Sequence, residues 1–153
     1  MEKNLDHIDR RILAALQRNS NRSQRELADE VGLSQNALWR RLKLLEEAEV
    51  ITGYTARIDR AAVGMGLVTF SMIRTRHHSG DWLKRFRQHL HTIPEVVGFY
   101  RISGDYDYML KIVSEDIRAF DAVYQRITEK IELDTVTSYF SMEAIIDDGP
   151  LPL

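Results

Sequence analysis

Basic side chains concentrate between residues 34 and 45. Arg40, Arg41 and Lys43 lie in this stretch, which contains no acidic residue, and an acidic stretch follows it directly. A guanidinium can form two hydrogen bonds with a guanine edge, and an amide side chain can do the same with adenine. Both arginine and lysine can contact phosphates. The stretch therefore offers the chemistry of nucleic-acid contact, although an ordinary solvated helix face would explain the same composition.

A second polar group, Gly104-Asp105-Tyr106-Asp107, combines a glycine with two acids. The N–H groups of such a turn can hold a carboxylate, and an aspartate can neutralise an ammonium group. A hairpin turn with glycine at positive φ would by itself explain Gly104 and Asp105. It does not explain acids at both 105 and 107, so the motif also predicts a site for a small ligand with both charges.

The sequence contains no pattern typical of catalysis or of metal binding. It has no cysteine, no Gly-rich phosphate loop and no Gly-x-Ser-x-Gly elbow. Two carboxylates in one turn do not by themselves form an acid/base pair. In strand conformation, neighbours such as His77 and His78 point to opposite faces, so the pair cannot chelate one ion well. We therefore expect that the protein is not an enzyme and that it has neither a metal site nor a cofactor.

Three short helices are predicted before residue 50, and the third carries the basic stretch. Apolar residues at three- and four-residue spacing mark the first helix over Asp6–Arg18. The second begins at Ser23, which forms a capping box with Glu26, and ends at Gly32. The third follows Ser34 as its N-cap. Two helices joined by a Gly-containing turn are typical of a helix-turn-helix, whose second helix enters the DNA major groove.

The third helix has a buried leucine stripe and a polar outer side. A rotation of about 100° per residue puts Asn36, Arg40 and Lys43 opposite the leucines, with Gln35 and Trp39 beside them. Gln35, Asn36 and Arg40 suit base edges, whereas Arg41 and Lys43 suit phosphates. Trp39 either packs on the sugar-phosphate backbone or lies under the first helix. The residues expected to contact DNA are Ser34, Gln35, Asn36, Trp39, Arg40, Arg41 and Lys43.

The second half of the chain alternates strand-like and helical runs. The predicted strands are Leu67–Thr75, Val96–Ser103, Tyr106–Val113 and Thr135–Ile146, and the predicted helices are Asp81–Ile93 and Asp116–Ile131. This β-α-β-β-α-β order is that of a ferredoxin-like domain, in which two helices cover one sheet face. The other face, which includes Phe70 and Met72 or their neighbours, stays uncovered. An apolar uncovered face implies a partner, most simply a second copy.

The change of period divides the chain into residues 1–53, 54–66 and 67–153. The middle part contains a predicted hinge strand, Tyr54–Ile58, and a connection rich in small residues. No apolar run approaches the length of a membrane span, and the polar N-terminus does not resemble a signal peptide. Together with the lack of cysteine, these features lead us to expect a cytoplasmic protein. The helical first part and the β-α-β-β-α-β second part predict a fold of class α+β.

Several stretches, in this order and spacing, resemble the Lrp/AsnC family of transcription regulators over nearly the whole chain. They are Leu5–Leu13, Glu26-Leu27-Ala28, Val31–Ser34, Arg40–Glu47 with Val50-Ile51, and Gly104–Tyr108. The resemblance implies an N-terminal winged helix-turn-helix and a C-terminal ferredoxin-like (RAM) domain. It also implies homodimers that assemble further, usually to octamers, and that bind amino acids at the seams between dimers.

The same resemblance places the effector at the glycine turn, with polar residues of the last strand nearby. The residues implied as effector lining are Gly104, Asp105, Tyr106, Asp107, Thr137, Ser138 and Tyr139. Three shorter strings are similar to a cysteine-responsive branch of the family: Trp39–Lys43, Thr75–Ser79 and Leu151-Pro152-Leu153. They suggest L-cysteine as the first effector to test, with another small or branched amino acid behind it.

Together these observations predict a homo-oligomeric, sequence-specific DNA-binding regulator whose DNA affinity or assembly responds to a small amino acid. Two alternatives remain. An architectural DNA-binding protein without an effector would share every DNA-related feature and would differ only in the second domain. An enzyme built on the ferredoxin-like domain would need a nucleophile and a base, and the sequence offers no such pair.

Overall fold

A computed structural model describes residues 4–153. The helices are α1 His7–Arg18, α2 Gln24–Val31, α3 Gln35–Glu47, α4 Gly80–Leu90 and α5 Ile117–Glu129, and the strands are β1 Leu67–Arg74, β2 Val96–Arg101, β3 Tyr108–Ser114 and β4 Thr135–Phe140. The chain divides into a helical unit, which runs to Arg57 and includes Ile145–Leu153, and a sheet unit, Ile58–Ala144. Within the described range, no helix has the length and apolar composition needed to cross a bilayer.

The helical unit follows the predicted helix starts. The Asp6 side chain accepts from the Asp9 N–H at 2.8 Å, and Asp9 returns the bond, so α1 begins with a capping box. Ser23 and Glu26 form a second capping box at the start of α2. The three helices share one core of buried aliphatic side chains. Its fully or nearly fully buried members are Ile12, Leu13, Ala15, Leu27, Ala28, Val31, Leu38, Leu42 and Leu45.

The sheet unit confirms the predicted β-α-β-β-α-β order. Its four strands are antiparallel neighbours in the order β2-β3-β1-β4. Helices α4 and α5 lie on one face, where Phe86 and Ile127 are buried against Leu110 and Ile112 of the central strand β3. Period-2 alternation on β1 sends Ile73 into this core and leaves its neighbours on the opposite side.

Within the sheet unit, no helix covers the opposite side of the sheet, as predicted. We call it the open face. It carries Phe70, Met72, Tyr100, Met109 and Tyr139, which pairing register puts on one side of the sheet. Tyr100 and Tyr139 are 49% and 55% exposed. Because these large apolar rings gain nothing from contact with water, the face is suited to a partner.

The predicted hinge strand Tyr54–Ile58 is wrong for the single chain. These residues have no strand partner in the described chain, and a strand requires one to satisfy its N–H and C=O groups. Instead, the Tyr54 hydroxyl donates to Glu46 Oε1 at 2.9 Å. Burial and the Glu46 carboxylate raise the pKa of Tyr54, so this hydroxyl keeps its proton at neutral pH.

Two other elements end earlier than predicted. Strand β4 stops at Phe140 instead of Ile146. Beyond Phe140 only the Ser141 N–H bonds to β1, at the Val68 carbonyl, and β1 begins one residue earlier, at Leu67. Helix α4 ends at Leu90 instead of Ile93, because the N–H groups of Thr92 and Ile93 turn to carbonyls three residues back. The segment Ile145–Leu153 groups with the helical unit, whereas the sequence assigned it to the second domain.

Candidate nucleic-acid interface and candidate ligand turn

The turn between α2 and α3 sets the direction of α3. Gly32 adopts φ 70°, a left-handed conformation that a side chain would strain, and the Leu33 N–H returns to the Ala28 carbonyl at 2.9 Å. Ser34 then caps α3 by accepting from the Ala37 N–H at 3.2 Å. The Ser34 hydroxyl, predicted to contact DNA, is therefore already engaged as a helix cap.

The outer side of α3 is polar and largely free of protein partners. Gln35, Asn36 and Arg40 are exposed, and among residues 4–153 none of their side chains forms a hydrogen bond or ion pair. The structure brings Asn36, Arg40 and Lys43 to the side opposite the buried leucine stripe. This surface can accept partners that present hydrogen-bonding edges and negative charge.

Trp39 extends this surface. Its side chain is 51% exposed, so the alternative in which it lies under α1 is wrong. The Lys43 ammonium sits 5.5 Å from the centroid of the indole ring, and it is 3.7 Å from the Glu47 carboxylate. At such exposed sites both contacts are weak. Lys43 can therefore leave them for a phosphate at small cost.

Arg41 has a different environment from the one predicted. Its Nη1 donates to Asp6 Oδ2 and to Asp9 Oδ1, both at 2.7 Å, and its side chain is only 30% exposed. The Asp9 N–H and the Arg41 guanidinium hold the pKa of Asp6 below its usual value, and the two aspartates raise the pKa of Arg41. Arg41 thus ties α3 to the start of α1 and is turned away from Arg40.

The glycine turn of the sheet unit closes the connection from β2 to β3. Gly104 has φ 122°, which favours glycine, as the hairpin interpretation requires. The Ile102 N–H donates to the Asp107 carbonyl at 2.9 Å, and the Asp107 N–H donates to the Ile73 carbonyl at 2.8 Å. These bonds attach the turn to the end of β1.

The two aspartates of the turn differ sharply. Asp107 Oδ2 accepts from the Thr75 N–H at 2.9 Å, and Oδ1 lies 3.9 Å from His78 Nδ1. Asp105 is exposed, and its carboxylate has no partner in the described part of the chain. Only its backbone carbonyl is used, by Arg74 Nε at 2.8 Å. Asp107 is thus committed to the fold, whereas Asp105 is free.

Three side chains meet beside the turn on the same side as the open face. The Tyr106 hydroxyl donates to Thr137 Oγ1 at 3.1 Å, and the Arg74 guanidinium lies 5.4 Å from the centroid of the Tyr106 ring. Tyr139 follows Thr137 on that face. Arg74 was missed by the sequence interpretation; its position at the end of a strand, in phase with Phe70 and Met72, was the available signal.

Ser138 is not part of this group. Its hydroxyl is 2.8 Å from Ser71 Oγ on the face covered by the helices, because neighbours on a strand alternate between faces. The expectation that Thr137, Ser138 and Tyr139 line one site is therefore wrong for Ser138.

Within residues 4–153, no group of three or more His, Cys, Asp or Glu side chains could hold a metal ion. His77 instead stacks near Trp82, with ring centroids 6.4 Å apart.

Comparison with known families matches both units. A family described as winged helix-turn-helix DNA-binding matches residues 5–52. A second, the Lrp/AsnC ligand binding domain, matches residues 68–151 and therefore more than half of the chain. The first match contains α3 and the second contains the glycine turn.

Individual relatives agree with these families. The DNA-binding transcriptional activator DecR of Escherichia coli K12 is 39% identical over 150 residues, which cover 97% of this chain and 99% of that protein. The crystal structure of an AsnC family transcriptional regulator from Agrobacterium tumefaciens is 45% identical, covers 97% of both chains and has a TM-score of 0.92. A transcriptional regulator from Neisseria meningitidis, solved as a complex with L-methionine, is 29% identical, covers 97% of both chains and has a TM-score of 0.90.

Proposed function

This chain belongs to the Lrp/AsnC family of DNA-binding transcriptional regulators, and from that premise we propose that it reads a specific operator with α3 and answers to a small amino acid. Residues 1–53 carry DNA binding, residues 54–66 form the hinge, and residues 67–153 bind the effector and assemble the oligomer. The protein works in the cytoplasm without catalysis or cofactor, since regulation of this kind needs only binding.

The observation that carries the DNA proposal is the outer side of α3. Arg40 is a full positive charge on a helix surface with no protein partner among the described residues. Arg40 contacts guanine, and Gln35 and Asn36 contact adenine or its neighbours, because these side chains match those base edges. Because these side chains have no protein contacts to break among the described residues, only water must leave them when DNA binds.

The remaining residues of α3 position the helix. Lys43 contacts a phosphate and Trp39 packs on the sugar-phosphate backbone next to it, since the two side chains already lie side by side. Ser34 and Arg41 act indirectly: the first caps α3 and the second ties it to α1. Phosphate contacts and helix anchoring set affinity for all sequences, whereas base contacts select one.

The open face supports assembly through a second copy. A dimer presents two α3 helices to half-sites about one helical turn apart, so the operator is a near-palindrome. In that dimer, Tyr54–Ile58 pairs with the same residues of the second copy, which supplies the strand partner missing in one chain. Dimers then associate to an octamer. Light scattering tests this: Tyr100→Lys, on the open face, should lower the assembly mass. Ile117→Lys, also at a large exposed hydrophobic residue but on α5, should not.

The effector is an amino acid bound at the glycine turn. The free Asp105 carboxylate and the backbone N–H groups of the turn suit an ammonium and a carboxylate, and Arg74, Tyr106 and Thr137 add donors beside them. L-cysteine is the first choice, because three strings of the sequence are similar to a cysteine-responsive branch. L-methionine is the main competitor, because it is the ligand bound in the Neisseria meningitidis relative.

Calorimetric titration of the protein with each of the twenty amino acids tests the effector. We expect one or a few to bind, cysteine among them, and the DNA dissociation constant to change when they do. Binding of none of the twenty would favour the architectural alternative, in which the second domain only assembles the protein. Equal affinity for a selected operator and for a scrambled duplex of the same length would contradict sequence-specific reading by α3.

A further inference from the structure

The end of the chain is attached to the helical unit through one side chain of α1. Gln17 Nε2 donates to the Leu151 carbonyl at 3.3 Å, and the Leu151 N–H donates to Gln17 Oε1 at 2.6 Å. One amide therefore satisfies both backbone groups of one residue, as a neighbouring strand would do. The partners are 134 positions apart in sequence, so chain proximity does not bring them together.

A cavity of about 560 Å³ accompanies this contact within the helical unit. Its lining includes Leu5, Leu13 and Leu16 from the start of the chain, and Leu151 and Leu153 from the end. The two terminal leucines flank Pro152, which has no N–H to satisfy and favours extended backbone. An extended Leu-Pro-Leu segment can thus present both leucines to one apolar groove. Gln17 holds this segment at the groove through its two bonds to the backbone of Leu151.

The segment is held loosely enough to be released. Leu151 and Leu153 remain 69% and 43% exposed although both line the cavity. Two hydrogen bonds at the surface contribute little net free energy. The same segment continues, through residues 141–144, from β4, which carries Thr137 and Tyr139. The docked segment is thus covalently continuous with the strand that carries those two residues.

We propose that residues 149–153 form a C-terminal clasp, which docks in the Gln17 groove of the same chain and transmits effector binding to the DNA-binding unit. This rests on the proposed function, because it presumes an amino acid that alters DNA affinity. Effector binding shifts the clasp between docked and released states, and α1 with the segment after α3 responds, since both line the groove. The coupling must be reciprocal, so DNA also shifts the affinity for the amino acid.

Cross-linking tests the clasp in the whole 153-residue chain. The chain contains no cysteine, so the double variant Gln17→Cys/Leu151→Cys carries the only two thiols. A short bismaleimide links them through thioethers, which the thiol of L-cysteine cannot exchange as it would a disulfide, and excess reagent is removed before the amino acid is added. The readout is the ratio of DNA dissociation constants with and without L-cysteine or, if calorimetry selects another amino acid, with that one. The two single variants, treated with the same reagent, are the matched controls.

We expect the link to form within one chain and to abolish the response. A parent ratio of about fivefold or more should fall to about one in the linked protein. The treated Leu151→Cys variant should keep the parent response, whereas the unlinked double variant and the treated Gln17→Cys variant, which lack the Gln17 amide, should keep a weakened one. A link that joins two chains on a non-reducing gel would overturn docking in the same chain and indicate exchange with a second copy. A linked protein with the parent ratio would refute transmission by the clasp.

Gln17→Ala separates docking from transmission without a cross-link. In the parent, the Leu151 N–H should be protected from hydrogen exchange, and Gln17→Ala should remove that protection and weaken the response. Calorimetry should show that the variant still binds the amino acid, with an affinity changed by no more than the lost coupling factor. An unprotected Leu151 N–H in the parent would overturn the clasp itself. A parent whose DNA affinity does not change with any amino acid would overturn the proposed function and transmission by the clasp, whereas intrachain linking would still show that the segment docks.

Discussion

The outer side of α3 and the Gly104–Asp107 turn are both polar, but their side chains are used differently. Arg40 on α3 has no partner among the described residues, whereas Asp107 in the turn accepts a hydrogen bond from the Thr75 N–H. Tyr106 is likewise engaged, with Thr137. One surface offers free groups, and the other has built most of its groups into the fold.

This difference indicates two kinds of binding. Groups without protein partners lose only water when they meet DNA, so their full interaction contributes to affinity and selectivity. A ligand at the turn must compete with the internal hydrogen bonds that hold the end of β1, so it gains less affinity there. Because its binding changes those hydrogen bonds, however, it can change the conformation of the protein. The free surface is suited to recognition and the engaged one to response.

The largest expected effect is at Arg40. Arg40→Ala should cost about 1–3 kcal/mol of specific operator binding, because it removes a base contact, while leaving the melting temperature unchanged. Gel-shift titrations against operator and scrambled duplex, with calorimetric melting, measure both quantities. If affinity for the operator is retained, α3 does not read the sequence through this residue, and the free surface of α3 is not shown to be a recognition surface.

The turn gives the next largest effect. Asp107→Asn keeps the shape but removes a charge and an acceptor, so amino-acid affinity should fall about tenfold, the size of one charge-assisted hydrogen bond. The response of DNA binding should weaken, and DNA affinity without amino acid should be spared. Asp105→Asn, which breaks no bond within the described protein, should lower amino-acid affinity at least as much, because that free carboxylate is the proposed partner of the ammonium. A loss at Asp107 alone would contradict ammonium capture by Asp105, and parental behaviour of both variants would leave the motif as a hairpin turn only.

A smaller and less selective effect is expected at Lys43. Lys43→Ala should weaken binding to operator and scrambled duplex alike, because phosphates carry no sequence information. The slope of log affinity against log salt should fall by about one. Titrations at several salt concentrations measure this slope. A loss confined to the operator would instead give Lys43 a base to read.

The smallest effect concerns Arg41, the neighbour of Arg40 in sequence. Arg41→Ala should lower the melting temperature near neutral pH, because it removes the ion pairs with Asp6 and Asp9. The change should be only a few degrees, because these ion pairs are partly exposed and screened by solvent. The Asp9 N–H and Arg41 depress the pKa of Asp6 in the folded state. The associated stability is therefore present above the unfolded pKa of about 3.9 and is lost as pH falls through the folded value.

Melting curves of parent and Arg41→Ala between neutral pH and pH 2 should accordingly converge in acid. A gap that persists there would mean that Arg41 stabilises the unit by packing and not through Asp6. An operator-specific loss as large as that of Arg40→Ala would return Arg41 to the DNA-contacting set.

The adjacent arginines show how far sequence reasoning reached. Helical period correctly separated Leu38 and Leu42 from Arg40. The same period puts Arg41 closer to the leucine stripe than to Arg40, about 60° from it, but only the fold shows that Asp6 and Asp9 of α1 lie there. In the sheet unit, strand alternation could have separated Ser138 from Thr137 and Tyr139, whereas the end of β4 depended on where β1 begins.

The sequence by itself determined the caps of the helical unit, the glycine turn at Gly32, the order of elements and the uncovered sheet face. These features depend on hydrogen bonds and periodicities within a few residues, or on alternation along one strand, and both are written in the local pattern. The tertiary structure decided the partners of Arg41 and Asp107, the absence of a strand at Tyr54–Ile58 and the docking of Leu151 on Gln17. Each depends on groups brought together from distant parts of the chain, and burial and pairing in the folded molecule, not local preference, select those contacts.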